Sequence, residues 1–262
     1  QKRILFSLYP CSHRAYCIAL WDRSYFLSLT MKGLSQSDLA RMARSSVLDF
    51  LFVAFGFALP LVSWIALSYP PTIISQGQAH RIFYIHVPIA WVALYAPLLS
   101  AVSGILYLRT REQRFDLWSL ASNRISLLFA AAVVISGPLW ASTEWGTYWN
   151  WKDSRLMSFF ILLLSLVGYF YARSSTERPD RKAVVGAVMS ILTSISAVLT
   201  WLAIRVVTPD THPESVMGTM APPIRITFWI SVLGYHFLFL AFLRLAIRRE
   251  YLTALFEKTR EY

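Results

Sequence analysis

The chain has 262 residues, of which 56% are apolar and only 15% charged, and its formal charge is +11. A soluble domain carries about 25% charged residues, so this composition excludes a soluble globular fold. It gives no sign of a nucleic-acid partner either, because the basic residues are spread over connections between apolar runs and form no single patch.

Residues 1–46 form a basic tail that is poor in acids and starts with Gln1. An organelle transit sequence fits this composition, and so does a stretch upstream of a start at Met31. The second is adopted, since nothing after residue 30 needs the first thirty. Both cysteines, Cys11 and Cys17, fall there, which leaves the remainder without a disulfide, a thiolate metal site or a C-x-x-C-H motif.

Six apolar runs follow, at 50–68, 86–108, 125–142, 156–172, 183–204 and 226–242. At about 1.5 Å per residue each is long enough, 156–172 only just, to cross a hydrocarbon core of roughly 30 Å. None alternates with period two, so a β-barrel is excluded. The expected fold is an all-α integral membrane domain of six transmembrane helices over 47–250, followed by an interfacial tail at 251–262. Twenty of the 25 Lys and Arg lie in the N-terminal tail, the second and fourth connections and the C-terminal end. Both termini are therefore expected on the cytoplasmic side, with the first, third and fifth connections outside.

The first outward connection contains Gln76, Gly77, His80 and Arg81 and ends in Y-I-H-V-P, where Pro88 suits a first helical turn and puts His86 at the junction of loop and helix. A histidine there is ordinarily a solvated or capping residue. The connection 109–124, with Arg109, Arg111, Glu112, Arg114 and Asp116, reads as a solvated linker. Ser136, Gly137 and Pro138 then suggest a kink that aims Trp140.

The stretch 140–155, W-A-S-T-E-W-G-T-Y-W-N-W-K-D-S-R, holds four of the ten tryptophans together with Tyr148. Trp and Tyr ordinarily gather at a membrane boundary, which accounts for one or two of these rings more readily than for five. If helical, Trp145, Tyr148 and Trp149 share a face; if extended, Trp145, Trp149 and Trp151 do. Either conformation predicts a flat aromatic surface, suited to a large planar apolar ligand or a partner helix. Asp153 and Arg155 have an ordinary reading as a helix cap with a nearby surface pair.

The third outward connection places His212 before Pro213, and His236 is the one histidine inside an apolar run. His236, next to Tyr235, is read as a structural group bonded within the bundle. Two outward imidazoles flanking an aromatic surface suit a metal held in a planar macrocycle, and Arg81, Arg155, Arg205 and Arg225 lie at the same level, able to pair with ligand carboxylates. No paired carboxylates or nucleophile-and-base grouping appears, so a binding site is expected and an enzyme is not. A cytochrome b-like electron carrier calls for histidine pairs within the spans, and His236 has no such partner. A small-molecule transporter calls for internal repeats or midplane ion sites, which are not seen.

These pieces together, R-I-F-Y-I-H-V-P at 81–88, S-G-P-L-W at 136–140, W-G-T-Y-W-N-W at 145–151, D-S-R-L at 153–156 and T-H-P at 211–213, give the chain its resemblance over about 47–250 to the CcmC family of cytochrome c maturation, haem-handling membrane proteins with a Trp-rich WWD signature. The resemblance implies haem b with His86 and His212 as axial ligands. It implies a surface for the macrocycle from Trp140, Trp145, Gly146, Tyr148, Trp149, Trp151 and Asp153, with Arg81 and Arg155 beside it. It also implies delivery to a CcmE-type haem chaperone, partnership with CcmA- and CcmB-type ABC transporter subunits and a small CcmD-type subunit, and residence in the bacterial inner membrane or its mitochondrial equivalent. One departure is Lys152, inserted between Trp151 and Asp153 where the family has Asp directly after Trp; in a helix this rotates Asp153 by about 100°. Tyr148 stands where Trp is common, a milder change.

Overall fold

The computed structural model describes residues 33–57, 59–72, 77–207 and 220–260, and every regular element among them is helical. In order these are α1 (Gln36–Ala43), α2 (Val47–Phe57), α3 (Leu59–Ser68), a 3₁₀ turn (Gln78–Ile82), α4 (Phe83–Thr110), α5 (Gln113–Glu144), α6 (Ser154–Ser174), α7 (Pro179–Val206) and α8 (Pro222–Arg260). Six stretches, with α2 and α3 counted together and the 3₁₀ turn joined to α4, are long and apolar enough to cross a membrane. They coincide with the six apolar runs of the sequence.

Helix ends depart from the sequence reading. Pro88 does not open α4, which begins at Phe83, so His86 stands in its first turn and Pro88 is buried inside the helix. The solvated linker expected at 109–124 shrinks to Arg111 and Glu112. Arg111 closes α4 in the left-handed region at φ 61°, its N–H donating to the Tyr107 carbonyl at 2.8 Å. Of the charges that suggested a loop, Arg109 is exposed and Arg111, Glu112 and Arg114 are half-buried, but Asp116 is buried on a helix. Asp116 of α5 accepts two 2.7 Å bonds from the Arg173 guanidinium of α6. Neutralised in this bidentate pair, both groups can leave water.

In lipid, apolar contact alone gives helices little reason to associate, so close approach and polar contacts decide the packing. At the basic end, opposite the Trp-rich segment, a Cβ on Gly104 would stand 3.0 Å from the Ala187 carbonyl oxygen, so α4 and α7 meet there backbone to backbone. Nearby, the Ser119 hydroxyl lies 2.8 Å from that of Ser190, and the Asn123 amide donates to Ser190 at 2.8 Å and to Ser100, which binds α4, α5 and α7 together. Such interhelical bonds average about 0.6 kcal/mol each.

α8 runs unbroken through residues 251–260, and α1 lies against this part, where Leu39 and Ala43 join Tyr251 and Ala254 in one buried cluster. Ser35 caps α1, and its hydroxyl, donating to the Asp38 carboxylate at 2.6 Å, holds that carboxyl below the usual carboxylate range. α4 packs along both α5 and α7, and α6 along α7, while α8 leans on α4 and α5. α7 and α8 do not pack along one another, and a space remains between them over α4 at the Trp-rich end.

Candidate functional site

That space is a cavity of about 910 Å³, walled by α4, α5, α6, α7 and α8 and lined mainly by apolar side chains. Its size falls within the range of small-molecule and cofactor sites. His80, His86 and His236, the three histidines among the described residues, all line it.

His86 is oriented by α5. The Ser136 hydroxyl donates its one proton to the Ala132 carbonyl at 2.7 Å, so towards His86 Nδ1, 2.8 Å away, it can only accept. Nδ1 therefore carries the ring hydrogen, and Nε2 is the basic nitrogen. Gly137 makes room for the ring, since a Cβ there would lie 3.3 Å from His86 Cε1. The S-G-P segment read as a kink thus seats the imidazole, with Pro138 inside a continuous α5. His80 is fixed in the same manner, Nδ1 lying 2.7 Å from the Gly77 carbonyl, though its ring is almost fully buried.

The Trp-rich segment is neither helical nor extended between Trp145 and Lys152. Gly146 turns the chain at φ +69°, a backbone conformation that side chains disfavour. The expected flat surface does not form. Trp140 meets Trp145 at 5.3 Å and 82°, and Trp149 meets Trp151 at 5.6 Å and 66°, the edge-to-face contacts that ring quadrupoles prefer. Trp140, Trp145 and Trp149 line the cavity, whereas Tyr148 and Trp151 are exposed and away from it.

Asp153 follows its ordinary reading. Buried at the start of α6, it caps the helix by accepting from the backbone N–H groups of Arg155 at 3.0 Å and Leu156 at 2.9 Å. Lys152 lies in the turn before it, its N–H donating to the Asn150 side chain at 3.0 Å. Arg155 reaches the cavity wall. Arg81 does not, because its guanidinium donates to the carbonyls of Leu67 and Pro70 and to Gln78, tying the end of α3 to the 3₁₀ turn. His212 lies outside the described residues.

Of the other wall residues, Trp91 had no assigned role in the sequence, whereas Arg205 was expected near a ligand's carboxylates and His236 as a structural group. Arg205 lies on the wall with its guanidinium 5.5 Å from the Trp201 ring, and Trp91 faces the cavity from α4. His236 is bonded within its own helix as expected, Nδ1 lying 2.7 Å from the Val232 carbonyl, yet it also faces the cavity. The signal that marks it is its position, an ionisable ring inside an apolar run.

Fold and site define a multi-span membrane protein with a largely apolar cavity, of a size for a cofactor, whose wall carries imidazole and guanidinium groups. The family model described as Heme exporter protein C matches residues 31–261, and the chain belongs to this family, CcmC. Similar proteins include Heme exporter protein C of Paracoccus denitrificans, 31% identical over 189 residues, or 69% of this chain and 78% of the relative. The protein of the same name from Escherichia coli K12 is 34% identical over 110 residues, 41% of this chain and 44% of the relative. A ccmC-like mitochondrial protein of cytochrome c biosynthesis from Marchantia polymorpha is 34% identical over 122 residues, 47% of this chain and 51% of the relative.

Proposed function

We propose that this protein binds haem b at the outward face of a bacterial inner membrane or its mitochondrial equivalent, with His86 and His212 as axial ligands, and hands it to a CcmE-type chaperone for cytochrome c maturation. CcmA- and CcmB-type transporter subunits and a CcmD-type subunit are the expected partners. The observation that carries this reading is the Ala132–Ser136–His86 hydrogen-bond chain, which seats an imidazole on the wall of an apolar cavity. Among the described residues no three His, Cys, Asp or Glu side chains cluster closely enough to hold a bare metal ion. When bound, haem supplies the iron for axial ligation. Arg155 and Arg205 offer charge for its carboxylates, and Trp140, Trp145 and Trp149 bound its apolar faces.

On this reading the protein acts by holding and releasing its ligand. Proton competition gives a test. Axial ligation needs neutral imidazole, so below the ordinary imidazole value of about 6.5 haem affinity is expected to fall up to about tenfold per pH unit for each histidine involved. Haem titration of the detergent-purified protein between pH 8 and 5 measures this, and a constant affinity across that range counts against histidine ligation.

A further inference from the structure

We propose that His236 is a second ligand for the iron of the same macrocycle, a station within the membrane that lies deeper in the cavity than His86. The proposal rests on the haem-binding reading above.

His236 sits well inside α8, half-buried, on the wall of the cavity that holds His86. Its Nδ1 lies 2.7 Å from the Val232 carbonyl oxygen, and a carbonyl can only accept, so Nδ1 carries the hydrogen and Nε2 is the base. As at His80, a backbone carbonyl holds Nδ1, here on a different helix from that of His86. An imidazole kept only to satisfy Val232 has no need of a ligand cavity beside it. The same cavity is lined by Leu94 and Leu98 of α4 and Val198 of α7, which suits the rim of a macrocycle rather than a hydrated ion.

Depth decides the relation between the two imidazoles. The His236 ring packs against Tyr95, with centroids 5.4 Å apart. Tyr95 stands nine residues beyond His86 on α4, or about 13 Å along the axis. Metal–imidazole bonds of about 2 Å put the two axial nitrogens of one iron about 4 Å apart, so His86 and His236 cannot hold one iron together. They are alternative ligands at two depths. Passage from one to the other breaks an iron–Nε2 bond at one histidine and forms another at the second. Both nitrogens are neutral, so the exchange moves no proton and changes no oxidation state.

The test uses haem as the probe and the full chain in detergent. In a His86→Ala/His212→Ala background, which removes the outward ligands, haem is expected to bind at least tenfold more weakly than in wild type, with a shifted Soret band. Adding His236→Gln is expected to weaken binding by at least a further tenfold. Glutamine keeps an N–H for Val232 but has no basic nitrogen for iron, so a structural role survives it. His236→Met in the same background is the second variant: a thioether ligand is expected to retain binding and move the Soret band again. The proposal is overturned if the triple variant binds like the double one, if methionine leaves the spectrum unmoved, or if the double variant binds no haem while wild type does. A wild type that binds no haem overturns the parent reading, and this one with it.

Discussion

Ser136→Ala is expected to weaken haem binding by about 10–100-fold with little loss of fold, and Gly137→Val to weaken it further. Both act on the same ring. Without the Ser136 hydroxyl, Nδ1 of His86 loses this partner, and neither the tautomer nor the orientation of the ring at the cavity wall is held by it; loss of such an outer partner typically costs this much metal affinity. At Gly137 the first added carbon already stands 3.3 Å from His86 Cε1 and 3.7 Å from Leu156 Cδ2. Branching at that carbon leaves no volume for the imidazole in its present place. Haem titration of the two variants beside wild type, with thermal unfolding to check the fold, measures the effect. Wild-type affinity in Gly137→Val would show that His86 does not act from this position.

The largest effect on stability is expected at the other end of the bundle. Asp116→Ala leaves the Arg173 guanidinium buried against α5 with no carboxylate, and breaking a buried pair from one side costs about 3–5 kcal/mol. Asp116→Leu with Arg173→Met removes both charges and is expected to recover most of that loss, since an apolar replacement of similar volume is often no worse than the pair. Gly186→Ala tests the same contact sterically, because its Cβ would lie 2.3 Å from Arg173 Nη1 and push the guanidinium from its seat. Thermal unfolding midpoints in one detergent rank the variants. A single variant as stable as wild type would mean that water reaches this pair and screens it.

The same two regions show how far the sequence could be read. The six spans were legible because a lipid-embedded helix needs only length and apolar composition, both of which the chain displays. The helix ends were not. Asp116 and Arg173 read as solvated charges because their pairing is invisible until α5 and α6 lie side by side. Asp153 was legible as a cap, since that role depends on its own next three residues.

The Trp-rich segment was recognisable by composition, but its shape was not, because a positive φ at Gly146 and the turn around Lys152 decide which rings face inward. Trp149 turns in and Trp151 turns out, although only Asn150 separates them. His86 was found by its setting in R-I-F-Y-I-H-V-P, whereas Ser136, its partner fifty residues on, looked like part of a kink. Arg81 stood in the same string and serves a different end, bonding the end of α3. The cavity role of His236 arises only where α7 and α8 diverge, a tertiary fact with no local signature.

The most direct test of the central claim, that histidine ligands hold haem in this cavity, is the absorption spectrum of the detergent-purified, haem-reconstituted protein with and without reductant, wild type beside His86→Ala and His212→Ala. The account predicts a Soret band in wild type that weakens or shifts in each variant. A wild type that stays colourless after reconstitution, or variants whose spectra match wild type in both redox states, would contradict it.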